Sequence, residues 1–201
     1  MRLLSAPASP YGRKVKITLL MKGLKDQVRI ETVSTLPVSN PELQADNPLA
    51  KIPVLITDGG ESLYDSKVIC EYLDAQVASP VLFPGDGPER WRTLTLGALG
   101  DGILDAALLL VYEKRFRPED KWVDDWMVRQ QNKIDAALAH VEKSPPAWQG
   151  TPDYGHITLA SALGYLDFRH EGKWRAEHPK LVAWLDDFAR HVPAFDATRP
   201  S

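Results

Sequence analysis

The sequence predicts a small mixed α/β domain followed by an all-helical one. Residues 1–75 interleave short strand-like runs with helical patterns, whereas residues 88–192 are almost wholly helical in period. Between them Ala78-Ser79-Pro80-Val81-Leu82-Phe83-Pro84-Gly85-Asp86-Gly87-Pro88 is rich in prolines and glycines that continue neither kind of element. The expected boundaries are a first domain at 1–77, a linker at 78–87 and a helical domain at 88–201.

Arg2–Ser5 is a short apolar run and opens a strand. Pro10 suits the first turn of a helix, where its missing N–H would have no partner anyway, so Ser9 falls at the N-cap. Ile17, Leu20, Met21 and Leu24 recur as one helical face, which Gly23 weakens near its end. Val28–Val33 alternates with period two and reads as a strand. Asn40-Pro41-Glu42 opens one short helical turn. Pro53–Ile56 and Ser62–Tyr64 flank Asp58-Gly59-Gly60, a hairpin signal. Asp65-Ser66 then caps a helix with Val68, Ile69, Tyr72 and Leu73 on its apolar face.

A helical crossover joins the first two strands, so they should be parallel, and a tight turn makes the last two antiparallel. A four-stranded mixed sheet with helices on its faces follows, the thioredoxin-like arrangement.

In the helical half, the first helix runs from Pro88 to about Phe116. The next spans Pro118–Lys143, with Val123, Met127, Ile134, Ala137 and Val141 on one face, Gln130 interrupting it and Pro145-Pro146 ending it. Ile157–Arg169 is apolar on most sides, the signature of a central buried helix. Leu181, Val182, Leu185, Phe188, Ala189 and Val192 mark the face of a last helix.

With 24 Lys+Arg against 27 Asp+Glu over 201 residues, the net charge of -3 gives no electrostatic reason to expect nucleic acid. No uncharged apolar stretch approaches the ~18–20 residues needed to cross a bilayer, and no signal-peptide core follows Met1-Arg2. The expectation is therefore a soluble cytoplasmic protein with neither nucleic acid nor membrane as partner. The one cysteine, Cys70, has no disulfide partner in the chain and, beside Ile69, reads as a small core residue. His140, His156, His170, His178 and His191 show no zinc-ligand spacing, so no metal is expected. No glycine-rich phosphate loop is present.

The candidate chemistry gathers at Ser9, Ile52-Pro53 and Asp65-Ser66, which all leave the same end of the expected sheet. A hydroxyl at a helix N-terminus can donate to an anion that the unpaired amides and the dipole also favour. A thiol of ordinary pKa, about 8.5, would there lose its proton more readily, each unit needing roughly 1.4 kcal/mol. A charge-assisted hydrogen bond of ~1.5–3 kcal/mol plus the helix terminus supplies one or two units. Ser9 would thus activate a bound thiol and not be a nucleophile itself; the same residue also reads as a plain cap. Ile52-Pro53 is an ordinary strand start or, if cis, a backbone edge open to an extended peptide. Asp65-Ser66 is a plain cap or a cradle for a zwitterionic amino-acid head, Asp65 taking the ammonium and Ser66 the carboxylate.

Taken together, Ser9-Pro10-Tyr11, Asn47-Pro48-Leu49-Ala50-Lys51-Ile52-Pro53-Val54-Leu55 and Asp65-Ser66 with Ile69 and Tyr72-Leu73 resemble the glutathione transferase family, specifically its bacterial two-domain serine forms. The resemblance covers essentially the whole chain. It implies that Ser9 hydrogen-bonds the glutathione sulfur, that Pro53 is cis with Ile52 pairing by backbone to the cysteinyl unit, and that Asp65 and Ser66 hold the γ-glutamyl end. Tyr11 could offer the sulfur a second hydroxyl. The implied activity is attack of glutathione thiolate on an apolar electrophile or a peroxide, with detoxification as the setting and glutathione as co-substrate. An apolar pocket and a homodimer are implied as well. The alternative is a non-catalytic glutathione-binding or protein-interaction member of the same fold. An enzyme-cysteine exchange chemistry is disfavoured by Ser9, and an isomerase of the zeta kind by the lack of a Ser-Ser-Cys run. Where the family's buried helix has a Ser/Thr cap followed by Asp, this chain has Asp153 and His156. Asp101 and Asp105, four apart on one helical face, either point at the groove or form a solvated face, the latter preferred, while Tyr112, Phe116 and Trp174 are either pocket walls or core.

Overall fold

The computed structural model describes residues 1–35 and 40–200; residues 36–39 and Ser201, which the expected domains include, lie outside them. Two compact units emerge, Met1–Gly85 with Val192–Ser201, and Asp86–His191.

The first unit holds β1 (Arg2–Ser5), β2 (Arg29–Thr32), β3 (Val54–Ile56) and β4 (Ser62–Leu63) in the order β2-β1-β3-β4. β1 is parallel to β2 and antiparallel to β3, and β3 is antiparallel to β4, as the connections require. The helices are α1 (Pro10–Met21), α2 (Pro41–Asp46) and α3 (Ser66–Gln76). Alternation along β1 sorts the side chains between two faces. Leu4, paired with Val54, joins Ile56 and Leu43 of α2 in one apolar cluster. Leu3 and Ser5 point to the opposite face. The thioredoxin-like sheet is therefore the one the pattern predicted.

Two details differ. On α1 the buried set includes Val15, Ile17, Thr18 and Leu19, with Leu20 and Met21 only half-buried. Arg13 and Lys14 are buried too, Arg13 beneath the C-terminal segment. That segment forms one helical turn, Ala194–Ala197. The Arg13 guanidinium stacks 4.0 Å from the Phe195 ring and donates to its carbonyl at 2.8 Å. Val192 onward thus belongs with the first unit, tied to it by a long-range contact that periodicity does not register.

The second detail is the expected linker, of which Leu82 and Phe83 are buried against the first unit. Lys22 Nζ donates to Asp74 Oδ1 at 2.8 Å and to the carbonyls of Val77 and Pro80. Asp74 in turn accepts the N–H groups of Leu82 and Phe83 at 3.0 and 2.9 Å. One buried ion pair ties this stretch down.

The second unit consists of α4 (Gly87–Phe116), α5 (Asp124–Lys143), α6 (Tyr154–Arg169) and α7 (Pro179–His191). By length and composition α4 is the one described helix that could cross a membrane. Its buried stripe, Gly97, Gly100, Ile103, Leu104, Ala107 and Leu110, accounts for that composition as a core helix. A Cβ on Gly97 would stand 2.6 Å from the Tyr154 ring, so α4 and α6 approach closely there. α5 starts at Asp124 because Pro118 opens a separate turn at Glu119–Lys121, which leaves Val123 exposed. Gln130 does not interrupt the apolar face of α5 but lies fully buried on it with Ile134, Leu138 and Val141.

Candidate active site at one end of the sheet

The register brings three segments to one end of the sheet. Leu4 pairs with Val54 and Leu55 with Leu63, so the end of β1, the start of β3 and the end of β4 lie side by side. Ser9 follows the first, Ile52-Pro53 precedes the second, and Asp65-Ser66 follows the third.

Ser9 is the N-cap of α1, in extended conformation, with Pro10 at the first helical position. The Gly12 N–H donates to Ser9 Oγ at 3.1 Å. A hydroxyl carries one proton and two lone pairs, so this cap leaves the proton available to an incoming acceptor. Among the described residues that proton has no acceptor. Capping and anion binding are therefore compatible uses of the same oxygen. The Ser9 N–H donates to the Ala6 carbonyl at 3.1 Å, and Lys16 Nζ donates to that carbonyl at 3.4 Å, so the turn before the cap is held from both sides. Burial, and then the neighbouring Arg13 charge, push the Lys16 pKa down.

The Ile52–Pro53 bond is cis, with Pro53 buried and Ile52 half-buried. Asp65 caps α3 through its Oδ1, which accepts the Lys67 N–H at 3.0 Å. Its second oxygen has no partner among the described residues, and the residue is exposed. Ser66 is buried at the first position of α3. Tyr11 is half-buried, with Lys14 Nζ 5.6 Å from its ring centroid.

Sequence reasoning passed over Gly12. A Cβ there would fall 2.1 Å from Ser5 Oγ. A glycine within the first turn of a helix was the available signal, since it costs helix propensity and marks a close approach.

Other candidates fall elsewhere. Cys70 is fully buried, the small core residue the sequence predicted. Asp101 is not simply solvated, because it accepts the Tyr154 hydroxyl at 3.3 Å. Trp174 is buried and donates its N–H to Asp167 at 2.9 Å, which makes it core and not a pocket wall. Tyr112 and Phe116 meet edge to face at 5.1 Å. Asp153 caps α6 by accepting the His156 N–H at 3.2 Å, with His156 Nδ1 2.6 Å from the same oxygen, and Thr93 of α4 donates to the other oxygen of that carboxylate. Among the described residues no group of three or more His, Cys, Asp and Glu could hold a metal ion. An open groove of about 790 Å³ in the helical unit, lined by Trp91, Leu96, His140, Val141 and Pro146, contains none of the expected site residues.

Known proteins match along the whole chain. Residues 3–81 match the glutathione S-transferase N-terminal domain, and residues 120–187 the glutathione S-transferase C-terminal domain. The chain is 35% identical over 206 residues to the uncharacterized GST-like protein YibF of Escherichia coli K12, covering 100% of this chain and 98% of that one. A glutathione transferase family member from Pseudomonas fluorescens Pf-5, solved with bound glutathione, is 43% identical with a TM-score of 0.93, covering 100% and 98% of the two chains. A structure from the same organism with bound S-(propanoic acid)-glutathione is 42% identical with a TM-score of 0.88 and full coverage of both chains (100% and 100%).

Proposed function

Since the chain belongs to the glutathione S-transferase family, we propose that it binds glutathione at the sheet end and activates its thiol for attack on an electrophilic or peroxide co-substrate. The observation that carries this is the Ser9 hydroxyl, held by the Gly12 amide with its proton unclaimed at the N-terminus of α1. It donates to the thiolate, and the helix terminus adds to the preference for negative charge. The free backbone of Ile52 pairs with the cysteinyl unit. Asp65, with one oxygen unclaimed, takes the γ-glutamyl ammonium, and Ser66 with the start of α3 takes its carboxylate. Tyr11 lies two residues beyond Ser9 as a second hydroxyl for the sulfur.

In conjugation the sulfur forms a C–S bond while the leaving group departs with its electron pair, or, in an addition, the new carbanion takes a proton. With a peroxide the sulfur attacks the O–O bond and becomes a sulfenic acid as an alcohol leaves, and the thiol of a second glutathione then displaces water from that sulfur to close the disulfide. The relatives with bound glutathione and S-(propanoic acid)-glutathione support the glutathione site, and the second supports acceptors that carry an acid group. A cytoplasmic homodimer with a detoxifying role belongs to the same proposal. Exposed apolar side chains on α3 (Val68) and α4 (Trp91) support the dimer, which a monomeric mass in sedimentation would overturn.

The test is the thiolate absorbance of bound glutathione against pH. Ser9→Ala should raise the apparent thiol pKa by about one to two units, the size of one charge-assisted hydrogen bond. Glutathione that binds wild type with an unshifted thiol pKa would overturn the proposal.

A further inference from the structure

Gly12, Arg13 and Lys16 follow Ser9 by three, four and seven positions, so the four residues share one face of α1. Helical side chains lean toward the N-terminus, which carries the two cations back toward the cap. Arg13 is diverted: its guanidinium stacks on the Phe195 ring and donates to the Phe195 carbonyl. Lys16 is not. Its Nζ lies 3.4 Å from the carbonyl oxygen of Ala6, the same oxygen that accepts the Ser9 N–H at 3.1 Å. One carbonyl thus separates the ammonium from the backbone of the cap.

Among the described residues no carboxylate pairs with this charge. α3 packs on the opposite face of α1, where Cys70 meets Thr18 and Asp74 is held by Lys22. Asp196, the acid of the C-terminal turn, pairs with Arg199. The charge that acts on Lys16 is that of Arg13, which has the same sign. Half-burial and this like charge both disfavour the ammonium, and an anion at the cap would relieve both. On the glutathione reading, on which this inference rests, that anion is the sulfur Ser9 receives.

We propose that the Lys16 ammonium, acting through space across the Ala6 carbonyl, keeps the bound glutathione sulfur ionised alongside the Ser9 hydroxyl. Lys16 holds its own proton throughout, and the thiol proton goes to solvent. A unit charge at roughly 8–10 Å, through a medium between protein surface and bulk water, lowers a thiol pKa by about half a unit to one unit.

The test is the pH dependence of thiolate absorbance for glutathione bound to wild type, Lys16→Gln, Lys16→Arg and Ser9→Ala. Glutamine keeps a donor for the Ala6 carbonyl and loses the charge, whereas arginine keeps both. The bound thiol pKa should rise by about half a unit to one unit in Lys16→Gln and hold the wild-type value in Lys16→Arg. S-methylglutathione, which has no proton on sulfur, should bind these two variants and wild type equally by calorimetry. A thiol pKa unmoved by Lys16→Gln, a rise shared by Lys16→Arg, or S-methylglutathione binding weakened in Lys16→Gln would overturn the proposal. The last result would make the lysine a prop for the loop or the peptide.

The lysine side-chain nitrogen resonance of the unaltered protein gives a reading that needs no variant. Linkage is reciprocal, so the Lys16 pKa should be higher with bound glutathione thiolate than with S-methylglutathione, by the same half a unit to about one unit. Equal values would refute the coupling. A rise in the thiol pKa on Ser9→Ala without one on Lys16→Gln removes Lys16 and leaves the activation reading standing. An ordinary thiol pKa in wild type removes both.

Discussion

Ser5 Oγ occupies the space that a side chain on Gly12 would need, 2.1 Å from the Cβ position. Ser5 is 1% exposed and its hydroxyl has no hydrogen-bond partner among the described residues, so it cannot swing out to solvent. Gly12→Ala gains about 1 kcal/mol of helix propensity but must displace this hydroxyl or the helix, and overpacking costs typically about 1–3 kcal/mol. The steric term should win. Ser5→Ala removes an unpaired buried hydroxyl and should be close to neutral. In the double variant the clash is gone and the propensity gain remains, so its urea midpoint should equal or exceed that of wild type. A double variant as unstable as Gly12→Ala alone would sink this account.

Asp65 separates capping from binding. Asn caps a helix about as well as Asp, so Asp65→Asn should leave the thermal midpoint nearly unchanged. The charge that would face a γ-glutamyl ammonium is lost, and at an exposed site that is worth on the order of 1.4 kcal/mol, about tenfold. The KM for glutathione should therefore rise about tenfold with little change in kcat. A fall in kcat at constant KM would assign Asp65 to the chemistry instead.

The buried Lys22–Asp74 pair should govern the stability of the first unit. The lysine side chain is fully buried and the Asp74 side chain 10% exposed. Asp74→Ala strands the ammonium on two carbonyls and frees the Leu82 and Phe83 amides, a loss of about 3–5 kcal/mol for a broken buried pair. Lys22→Met added to Asp74→Ala should recover some of that loss, because the stranded charge is then gone. Chemical denaturation of the three proteins reads the difference, and a double variant less stable than Asp74→Ala would contradict it.

Local signals in the sequence were legible wherever the structure has a local cause. Ser9, Asn40 and Asp65 each cap the helix their neighbours predicted, and the hairpin turned where Asp58-Gly59-Gly60 stood. Illegible were contacts between distant segments. The burial of Arg13 depends on a segment some 180 residues later, where it bonds to the carbonyl of Phe195 (a separation of 182). Nothing local marks Lys22 as buried, because the groups that close over it, Asp74, Val77 and Pro80, lie more than 50 residues away. Gln130 looked like a break in a stripe because polarity was read without its surroundings. In the site itself the caps could be read, whereas the reason for Gly12 lies in Ser5, on another element.

Asp153 makes the start of α6 sensitive to acid. Burial alone would raise its pKa, but the hydrogen bond from His156, the His156 charge, the Thr93 hydroxyl and the His156 backbone N–H together hold it below the usual carboxylate value. A carboxyl with a lower pKa in the folded than in the unfolded state stabilises fully above the unfolded value, near 3.9, and loses that contribution as pH falls through the folded one. The unfolded chain takes up the proton first. Asp153→Asn keeps a capping oxygen but carries no titratable group. The stability gap between wild type and this variant, measured by urea denaturation from about pH 5 downward, should therefore narrow below about pH 4. A gap that stays constant through that range would mean that the charge on Asp153 does not hold α6 to Thr93, and that the cap acts through its geometry alone.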